Sequence, residues 1–263
     1  MTRHNAILLV STVGHIRHLQ LNRAEKMNAA NRQMLSELSL EYAEADRDDN
    51  VRVVVVSAAG DHFTAGLDLG DVLGTASQSG LDLTPQGGID PWGITTTPIS
   101  KPVIVAVQGT CLTLGVELIL ASELAVADDT TVFGQLEVTR GIMPFGGATT
   151  RFAQRVGWAH ASRYLLTGET FTAAEAQRIG LINEVVPAGT QVERAMELAG
   201  LIADQAPLAV QATLRNARVA RAAVEKEALS QLPKELSALL SSQDFHAGVA
   251  AFTTRSKPEF TGK

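Results

Sequence analysis

The chain has 263 residues, which is enough for one large globular domain or for one domain with an appended piece. Its 45% hydrophobic and 19% charged residues are typical of a globular protein, and a net charge of −6 disfavours a nucleic-acid partner, since nucleic-acid-binding proteins carry basic surfaces. With a single cysteine, no apolar leader after Met1 and no run of membrane-spanning length, we expect a cytosolic protein without a membrane partner.

The opening part of the chain alternates strand and helix patterns. Residues 6–12 and 15–21 are strand-like runs on either side of a Val-Gly turn, and they predict a hairpin. From Asn31 onward, apolar residues recur at helical spacing, which predicts an amphipathic helix. The Val-rich run 51–57 then predicts a strand that is buried on both faces.

Two irregular connections follow. Residues 58–69 are rich in turn residues and lead to a helix start, with Asp68 placed as its N-cap. Residues 74–93 contain Ser-Gln-Ser-Gly and Pro-Gln-Gly-Gly, and a connection of this length is either a lid over a site or a disordered insertion. Trp92 at its end either walls a pocket or packs against the core. The sequence leaves both pairs of alternatives open.

The most informative stretch is residues 101–122, in which a buried strand, 103–107, breaks at Gly109 and becomes helical by Leu114. The first N–H groups of a helix have no partner within it and lie at the positive end of its dipole. This turn is therefore a candidate site for an oxyanion or a phosphate. Glu117 interrupts the apolar helical run, so its carboxylate is either buried with a task or exposed on the solvent face of the helix.

The second half of the chain begins with mixed patterns. Residues 124–127 and 181–186 predict strands, and residues 141–148 predict a loop that leads into a helix. Thr172 and Glu175 have the spacing of a capping box at the start of another helix. After residue 190 only helical patterns remain.

The chain after about residue 200 has the pattern of a separate helical appendage, so we place a core at residues 1–200 and a helical region at residues 201–263. A peripheral appendage could hardly bury its own apolar faces, which indicates subunit packing. The residues on these faces are Leu236, Leu239, Leu240, Phe245 and Phe252.

Several motifs that identify cofactor or nucleophile sites are missing. The sequence contains no GxGxxG, GxxxxGK[ST], GxSxG or HExxH motif, and its six histidines are scattered, so we expect no metal site. Cys111 has no evident histidine or lysine nearby to activate its thiol. We therefore interpret it as a small apolar core residue.

A second glycine-broken turn, at residues 65–68, and a second isolated carboxylate, Glu137, complete the candidate machinery. Two such turns can aim two backbone N–H groups at one carbonyl oxygen, which is the geometry of an oxyanion hole. Two carboxylates in different environments can divide the work of acid and base. The sequence alone does not bring Glu117 and Glu137 together, and a surface position for Glu137 is equally open.

An ordered set of motifs resembles one family. The motifs are residues 63–69 (FTAGLDL), 102–109 (PVIVAVQG) leading to Glu117, 133–137 (FGQLE), 166–169 (LTGE), 173–176 (AAEA), 180–187 (GLINEVVP), 248–252 (GVAAF) and 257–260 (KPEF). In this order they are similar to the enoyl-CoA hydratase/isomerase, or crotonase, superfamily. No single motif is decisive, but the ordered set is highly specific and extends from about Asn22 to the end of the chain.

The resemblance implies an α/β fold, a spiral of ββα units with a C-terminal helical trimerisation region, assembled as a trimer or a dimer of trimers. It implies an acyl-CoA thioester as ligand, a place in fatty acid metabolism and no separate cofactor, because coenzyme A is part of the substrate. The thioester oxygen would lie between the backbone N–H groups of Leu67 and Leu114. Removal of one such donor costs roughly 3 kcal/mol in barrier height.

The resemblance also assigns residues that bind coenzyme A. They are Arg23, Lys26 and Met27 in the loop that meets the adenine, Ala65 and Asp68 in the turn that holds the bent CoA, and Lys257, which approaches the CoA phosphates from a neighbouring subunit.

The chain keeps both glutamates that hydratases of this family use. By similarity, Glu117 takes a proton from a water held between them, and Glu137 protonates the α-carbon. This syn addition to a trans-2-enoyl-CoA gives a 3-hydroxyacyl-CoA. An isomerase that moves a double bond between positions 3 and 2 needs the same oxyanion hole and one carboxylate, so it is the second interpretation. Another lyase or hydrolase of the superfamily and a non-catalytic acyl-CoA-binding protein are further alternatives.

The chain departs from the family pattern in three places, which involve four residues. Thr113 and Leu114 stand where glycines are usual, which places bulk near the acyl pocket. Leu136 replaces a common proline before Glu137, and Ala24 stands where the adenine loop often carries proline. We expect the first two departures to affect the choice of substrate or reaction.

Overall fold

The structure, a computed structural model, describes residues 6–73 and 83–261, without the side chains of residues 220–228 and 231. Its strands are β1 (Leu8–Val13), β2 (Ile16–Leu21), β3 (Val53–Ala58), β4 (Val103–Val107), β5 (Thr110–Leu112), β6 (Leu124–Asp128), β7 (Val132–Gly134), β8 (Thr170–Thr172) and β9 (Glu184–Val186). Its α-helices are α1 (Arg32–Arg47), α2 (Leu69–Leu73), α3 (Leu114–Ala121), α4 (Ala148–Val156), α5 (Trp158–Thr167), α6 (Ala173–Arg178), α7 (Gln191–Ala203), α8 (Pro207–Leu240) and α9 (Gln243–Thr254). Short 3-10 helices lie at Ala24–Lys26 and Glu137–Arg140.

The strands form two sheets. A six-stranded sheet has the order β1-β2-β3-β4-β6-β9, in which β1 and β2 form the predicted antiparallel hairpin and the other neighbours are parallel. A three-stranded sheet has the order β5-β7-β8. The predicted α/β class is confirmed, and the central strands β3 and β4 are buried along their whole length, as a Val-rich parallel strand covered on both faces requires.

Helices cover both faces of the large sheet. On one face, α7 packs alanines 195, 199 and 203 against Val53, Val55 and Ile104. On the other face, α1 contributes the predicted apolar stripe, and the Asn31 side chain caps the helix by accepting a hydrogen bond from Met34 N–H.

The parallel register brings the ends of β3 and β4 to the same edge of the sheet, with Val56 opposite Val105. The segments that follow the two strands remain in contact beyond the sheet. Phe63 N–H donates to Gln108 O at 2.9 Å, and Thr64 N–H donates to Thr110 O at 3.0 Å. The two predicted turns therefore leave the sheet side by side.

Several sequence predictions need correction in detail. The turn predicted after Gly109 contains an extra strand, β5, because this segment pairs with β7. The strand predicted at residues 181–186 is shorter and begins at Glu184. Of the predicted capping box, only half is formed, since Thr172 accepts a hydrogen bond from Glu175 N–H while the Glu175 carboxylate binds Arg178 and Tyr164 instead.

The connection predicted at residues 74–93 is partly outside the described residues, because residues 74–82 are not described. Residues 83–93 consist of turns and irregular chain. Whether the whole connection is a lid therefore stays a prediction.

The C-terminal helices α8 and α9 pack in part against the rest of the same chain. Leu236 of α8 and Phe245 of α9 are only 7% and 8% exposed within the single chain, so these two residues do not form an open subunit face. Phe252 is 56% exposed, as the prediction of subunit packing requires. Within the residues that the structure describes, no helix is both long enough and apolar enough to cross a membrane.

Candidate active site

The two glycine-broken turns meet at Gly66 and Thr113. Gly66 has a φ of 102°, and a Cβ atom added to it would lie 2.2 Å from Thr113 Oγ1. Leu112 N–H donates to Thr64 O at 3.0 Å, which ties the first turn to β5. Gly66 is thus required both by its backbone conformation and by the side chain packed over it.

Thr113 has a backbone conformation that is unusual for a residue with a side chain. Its φ is 48° and its ψ is −111°, and its N–H donates to Gly134 O at 2.8 Å. Helix α3 begins at the next residue, Leu114, so the peptide between them is held by surrounding contacts in a conformation that glycine would adopt more readily.

The two predicted oxyanion donors, Leu67 and Leu114, line the same pocket. Neither backbone N–H donates a hydrogen bond to another residue that the structure describes. Two N–H groups without a protein acceptor are what an oxyanion hole requires. Their role as donors to a ligand stays a prediction.

The pocket has a volume of about 410 Å³, within the range of pockets that bind small molecules. Most of its lining is apolar. The residues that line it are Leu35, Ser39, Leu67, Leu83, Thr84, Asp90, Trp92, Ile94, Thr95, Leu114, Glu117, Phe145, Gly146, Leu232, Pro233 and Leu236. Leu236 was expected at a subunit interface, whereas the structure places it in this wall together with its neighbours on α8.

Glu117 lies in the first turn of α3 and is 2% exposed, so of the two alternatives left open by the sequence the buried position is confirmed and the solvent-facing one is wrong. Its Oε1 atom accepts hydrogen bonds from Gly146 N–H at 2.8 Å and from Ala148 N–H at 3.1 Å. Burial raises the pKa of Glu117 to about 7, even though these two amides and the charge of Arg151 act to lower it. A buried carboxyl with a pKa near neutrality is suited to take up and release a proton.

Glu137 is the first residue of the 3-10 helix Glu137–Arg140 and is 5% exposed, so the alternative of a surface position is wrong. In the orientation in which it can donate, the Gln135 amide nitrogen lies 2.9 Å from both carboxylate oxygens. Burial and the charge of Glu117 raise the pKa of Glu137 well above its usual range. The two glutamates are therefore close enough to influence each other, although only Glu117 lines the pocket.

The loop that carries Trp92 forms part of the pocket wall, so the interpretation of Trp92 as a wall residue is confirmed. Two buried charged residues, Asp90 and Arg151, bind this loop, and neither was predicted from the sequence. Arg151 could have been noticed as a charged residue on the apolar face of the helix that begins at residue 148. Asp90 carried no comparable signal, because aspartate is common in turns.

The residues assigned to coenzyme A by resemblance lie outside the pocket lining. Arg23 Nη1 donates to Asp68 Oδ2 at 2.8 Å, and Ala65 N–H donates to Met27 O at 2.9 Å, so the loop and the turn form one connected rim. Burial alone would raise the pKa of Asp68, but its hydrogen bond and ion pair with Arg23 outweigh this effect and lower it.

The two remaining CoA-binding candidates, Lys26 and Lys257, are exposed, and Lys257 lies in the segment after α9. Binding of CoA by any of these residues stays a prediction.

Cys111 is fully buried in the core, and burial raises the pKa of its thiol, so it is a packing residue rather than a nucleophile. Among the side chains that the structure describes, no group of three or more histidine, cysteine or carboxylate residues is arranged to hold a metal ion.

Comparison with known proteins gives consistent matches over nearly the whole chain. The model of a family described as enoyl-CoA hydratase/isomerase matches residues 12–263. A 2,3-dehydroadipyl-CoA hydratase of Escherichia coli is 34% identical over 257 residues, which cover 97% of this chain and 99% of that protein. The enoyl-CoA hydratase EchA19 of Mycobacterium tuberculosis is 32% identical over 259 residues, covering 97% and 96% of the two chains.

Solved structures match equally well. A probable enoyl-CoA hydratase/isomerase from Mycobacterium abscessus has 46% sequence identity and a TM-score of 0.81, with 98% of this chain and 99% of that chain covered. A carnitinyl-CoA hydratase from Mycobacterium avium has 36% identity, a TM-score of 0.88 and the same two coverages.

Proposed function

The chain belongs to the enoyl-CoA hydratase/isomerase family and is an enoyl-CoA hydratase, and we propose that Glu117 and Glu137 add water to a trans-2-enoyl-CoA in the pocket beside α3. Its fold is the crotonase fold that the sequence predicted. The observation that carries the proposed mechanism is the position of Glu117, which is buried, lines the pocket and follows Leu114 by less than one helical turn.

The oxyanion hole supplies the electrophilic assistance. The thioester oxygen accepts hydrogen bonds from the N–H groups of Leu67 and Leu114. Because negative charge grows on this oxygen as water attacks the β-carbon, donors fixed in place stabilise the transition state more than the bound substrate.

Each glutamate moves one proton. Glu117 removes one of the two protons of the water, the other stays on the new hydroxyl group, and Glu137 supplies the proton of the new C–H bond. Ionised Glu117 takes one proton from the water while the water oxygen forms a bond to the β-carbon. The electron pair of the double bond moves to the thioester oxygen and forms an enolate. Protonated Glu137 then delivers a proton to the α-carbon, and the product is a 3-hydroxyacyl-CoA. A proton then passes from Glu117 back to Glu137 and restores both groups for the next turnover.

The electrostatic asymmetry of the site supports this division of roles. Glu117 has hydrogen-bond donors and Arg151 nearby, which favour its ionised form. Glu137 feels burial and the negative charge of Glu117, which favour its protonated form. Pairs of carboxyl groups whose environments separate their pKa values commonly serve as base and acid.

The ligand that we propose is an acyl-CoA thioester of fatty acid metabolism, with the acyl group in the pocket and the CoA part along the rim at Arg23 and Asp68. Leucine, isoleucine and aromatic side chains dominate the pocket, which favours an apolar acyl group. No other cofactor and no metal take part in the proposed reaction, because acid–base chemistry and hydrogen bonding account for every bond change. The cytosolic location stays a prediction from the sequence.

We further propose a homotrimer or a dimer of trimers, in which Lys257 approaches the CoA phosphates of a neighbouring subunit. Large apolar side chains on the outside of the single chain support assembly. The most exposed of them are Leu208, Val219, Leu166, Trp158 and Leu201, at 78%, 71%, 68%, 62% and 61%.

Turnover of crotonyl-CoA and of longer trans-2-enoyl-CoA substrates, followed as loss of the conjugated enoyl-thioester absorbance, tests the proposal. We expect Glu117→Gln and Glu137→Gln each to lower kcat by about 10²- to 10⁴-fold. Glu169→Gln, in which an exposed glutamate paired with Arg163 is changed, should keep wild-type turnover. Wild-type protein that hydrates no enoyl chain, but shifts the double bond of a 3-enoyl-CoA, would show that the isomerase alternative is correct.

A further inference from the structure

A loop of irregular backbone, residues 90–96, crosses the pocket beside the start of α3. Trp92 in this loop lines the pocket, and its indole Nε1–H donates to Leu114 O at 2.9 Å. Leu114 is also the residue whose N–H is the proposed second oxyanion donor. One side chain therefore connects the pocket wall to the backbone that must face the thioester oxygen.

Arg151 of α4 holds the Trp92 loop through hydrogen bonds to its backbone. Arg151 is 5% exposed, and its guanidinium donates to Trp92 O and, at 3.2 Å, to Gly93 O. A Cβ atom on Gly147 would lie 3.0 Å from Arg151 Nη1, so the guanidinium occupies space that a side chain would need. The planar fork of arginine suits this double contact with consecutive carbonyl groups.

Asp90 holds the same loop from its N-terminal end. The carboxylate, in a residue that is 6% exposed, accepts hydrogen bonds from Trp92 N–H at 2.9 Å, Ile94 N–H at 2.8 Å and Thr95 N–H at 2.9 Å, and from Thr95 Oγ1–H at 3.1 Å. The loop is thus closed on itself by a buried carboxylate and fastened to α4 by a buried guanidinium. Such fully bonded polar groups make an irregular segment rigid.

Thr113 explains why this chain needs a support at Leu114. A residue with a side chain at a φ of 48° is strained and keeps this conformation only when its surroundings hold it there. Thr113 N–H is fixed on one side by Gly134 O, and the indole of Trp92 fixes the backbone of Leu114 on the other.

We propose that Trp92 is a positioning residue for the oxyanion donor at Leu114, and that Asp90 and Arg151 hold its indole at the Leu114 carbonyl. This inference rests on the proposed hydration at the same site. It adds Trp92, whose side chain contacts the backbone of the donor residue Leu114. It also predicts that the indole N–H is needed for this role and that an aromatic ring alone is not sufficient.

The decisive variant is Trp92→Phe, which keeps an aromatic ring in the wall and removes the N–H. We expect kcat for crotonyl-CoA to fall roughly tenfold, the effect of one lost hydrogen bond that holds a catalytic group. KM, and the Kd for a saturated acyl-CoA from isothermal titration, should stay within about twofold, because the pocket wall remains. Trp158→Phe, at a tryptophan that is 62% exposed and lies outside the pocket lining, is the matched control. It keeps an aromatic ring on the proposed assembly surface and should leave both the oligomeric state and kcat unchanged.

A second pair of variants tests the support. Arg151→Lys keeps the positive charge near Glu117 but loses the fork, and should lower kcat to a similar extent. In the double variant, Arg151→Lys should lower kcat by less than about a further twofold below that of Trp92→Phe alone, because both changes act through one hydrogen bond. Arg155→Lys is the control for Arg151→Lys, because Arg155 lies on the same helix but donates to Ile119 O, at 2.7 Å, in the last turns of α3 instead of to the Trp92 loop. Its kcat should not change.

If Trp92→Phe does not fold, Arg151→Lys in a Trp158→Phe background replaces it. The chain has two tryptophans, so Trp92 is then the only one, and its fluorescence emission should move to longer wavelength together with the loss in kcat.

Unchanged kcat in Trp92→Phe, a loss confined to KM and Kd, or fully multiplicative losses in the double variant would each overturn the inference while wild-type hydration stands. Wild-type protein that hydrates no enoyl-CoA would overturn the proposed function and this inference together.

Discussion

The two buried glutamates of the site show how neighbouring groups give one residue type two different roles. Glu117 accepts hydrogen bonds from two backbone N–H groups at the start of α4 and lies near the positive charge of Arg151. Glu137 accepts a hydrogen bond from the Gln135 amide and lies near the negative charge of Glu117. Burial raises the pKa of both carboxyl groups. The charge of Glu117 raises the pKa of Glu137 further, whereas the two amides and Arg151 limit the rise at Glu117. Burial is thus the largest cause of the raised pKa at both glutamates, and the difference between them comes from the amides and charges around each carboxyl group.

Among the following predictions, the largest loss of activity is expected when the Glu117 carboxylate is displaced by a change in a neighbouring residue while Glu117 itself is kept. A Cβ atom on Gly146 would lie 2.5 Å from Glu117 Oε2, so Gly146→Ala must displace the carboxylate. We expect kcat for crotonyl-CoA to fall by about 10²-fold, since a misplacement near 1 Å has this cost. Gly200→Ala, where a Cβ atom has nothing within 4 Å, should keep full activity. Normal turnover by Gly146→Ala would show that the Glu117 position is not critical.

The pH dependence of kcat/KM sharpens the comparison. The base must be ionised, so activity should fall about tenfold per pH unit below the pKa of Glu117, near 7. The acid must be protonated, so activity should fall again at a higher pH, above the raised pKa of Glu137. A stopped-flow profile from pH 5 to 10 measures both limbs. A flat profile across pH 5 to 8 would contradict the role of Glu117 as base.

The smallest effect is on stability. A carboxyl group whose pKa is raised by folding stabilises the protein while it is protonated, and this contribution is lost as pH rises through the folded-state pKa. Glu137→Gln cannot ionise, so it should melt at a higher temperature than wild type at pH 9 and at the same temperature at pH 4, which is below the unfolded-state pKa of a glutamate. Each unit of raised pKa corresponds to about 1.4 kcal/mol, or about 2–4 °C in Tm.

Differential scanning calorimetry at the two pH values measures this difference, with the exposed Glu169→Gln as control. A lower Tm for Glu137→Gln at pH 9 would mean that the ionised carboxylate is stabilised in the folded protein, contrary to the asymmetry described above.

Local patterns in the sequence determined the elements of this protein. The Asn31 cap and the apolar spacing after it specify α1, and the Val-rich runs specify β3 and β4 as buried strands. The charge of Glu117 within an apolar helical run drew attention to this position, although the pattern left open whether its carboxylate is buried or exposed. These features depend on residues a few positions apart, for which periodicity and capping chemistry are sufficient.

Only the tertiary structure decided how these elements form a site. The contact of Gly66 with Thr113, the hydrogen bond from Trp92 to Leu114 and the burial of Glu137 join residues from separate elements, and nothing in their local sequence indicates these partners. Leu236 had an apolar pattern that fitted a subunit interface equally well, and the packing of α8 placed it in the pocket wall instead. Periodicity shows which face of an element is apolar, but which surface covers that face depends on the path of the whole chain.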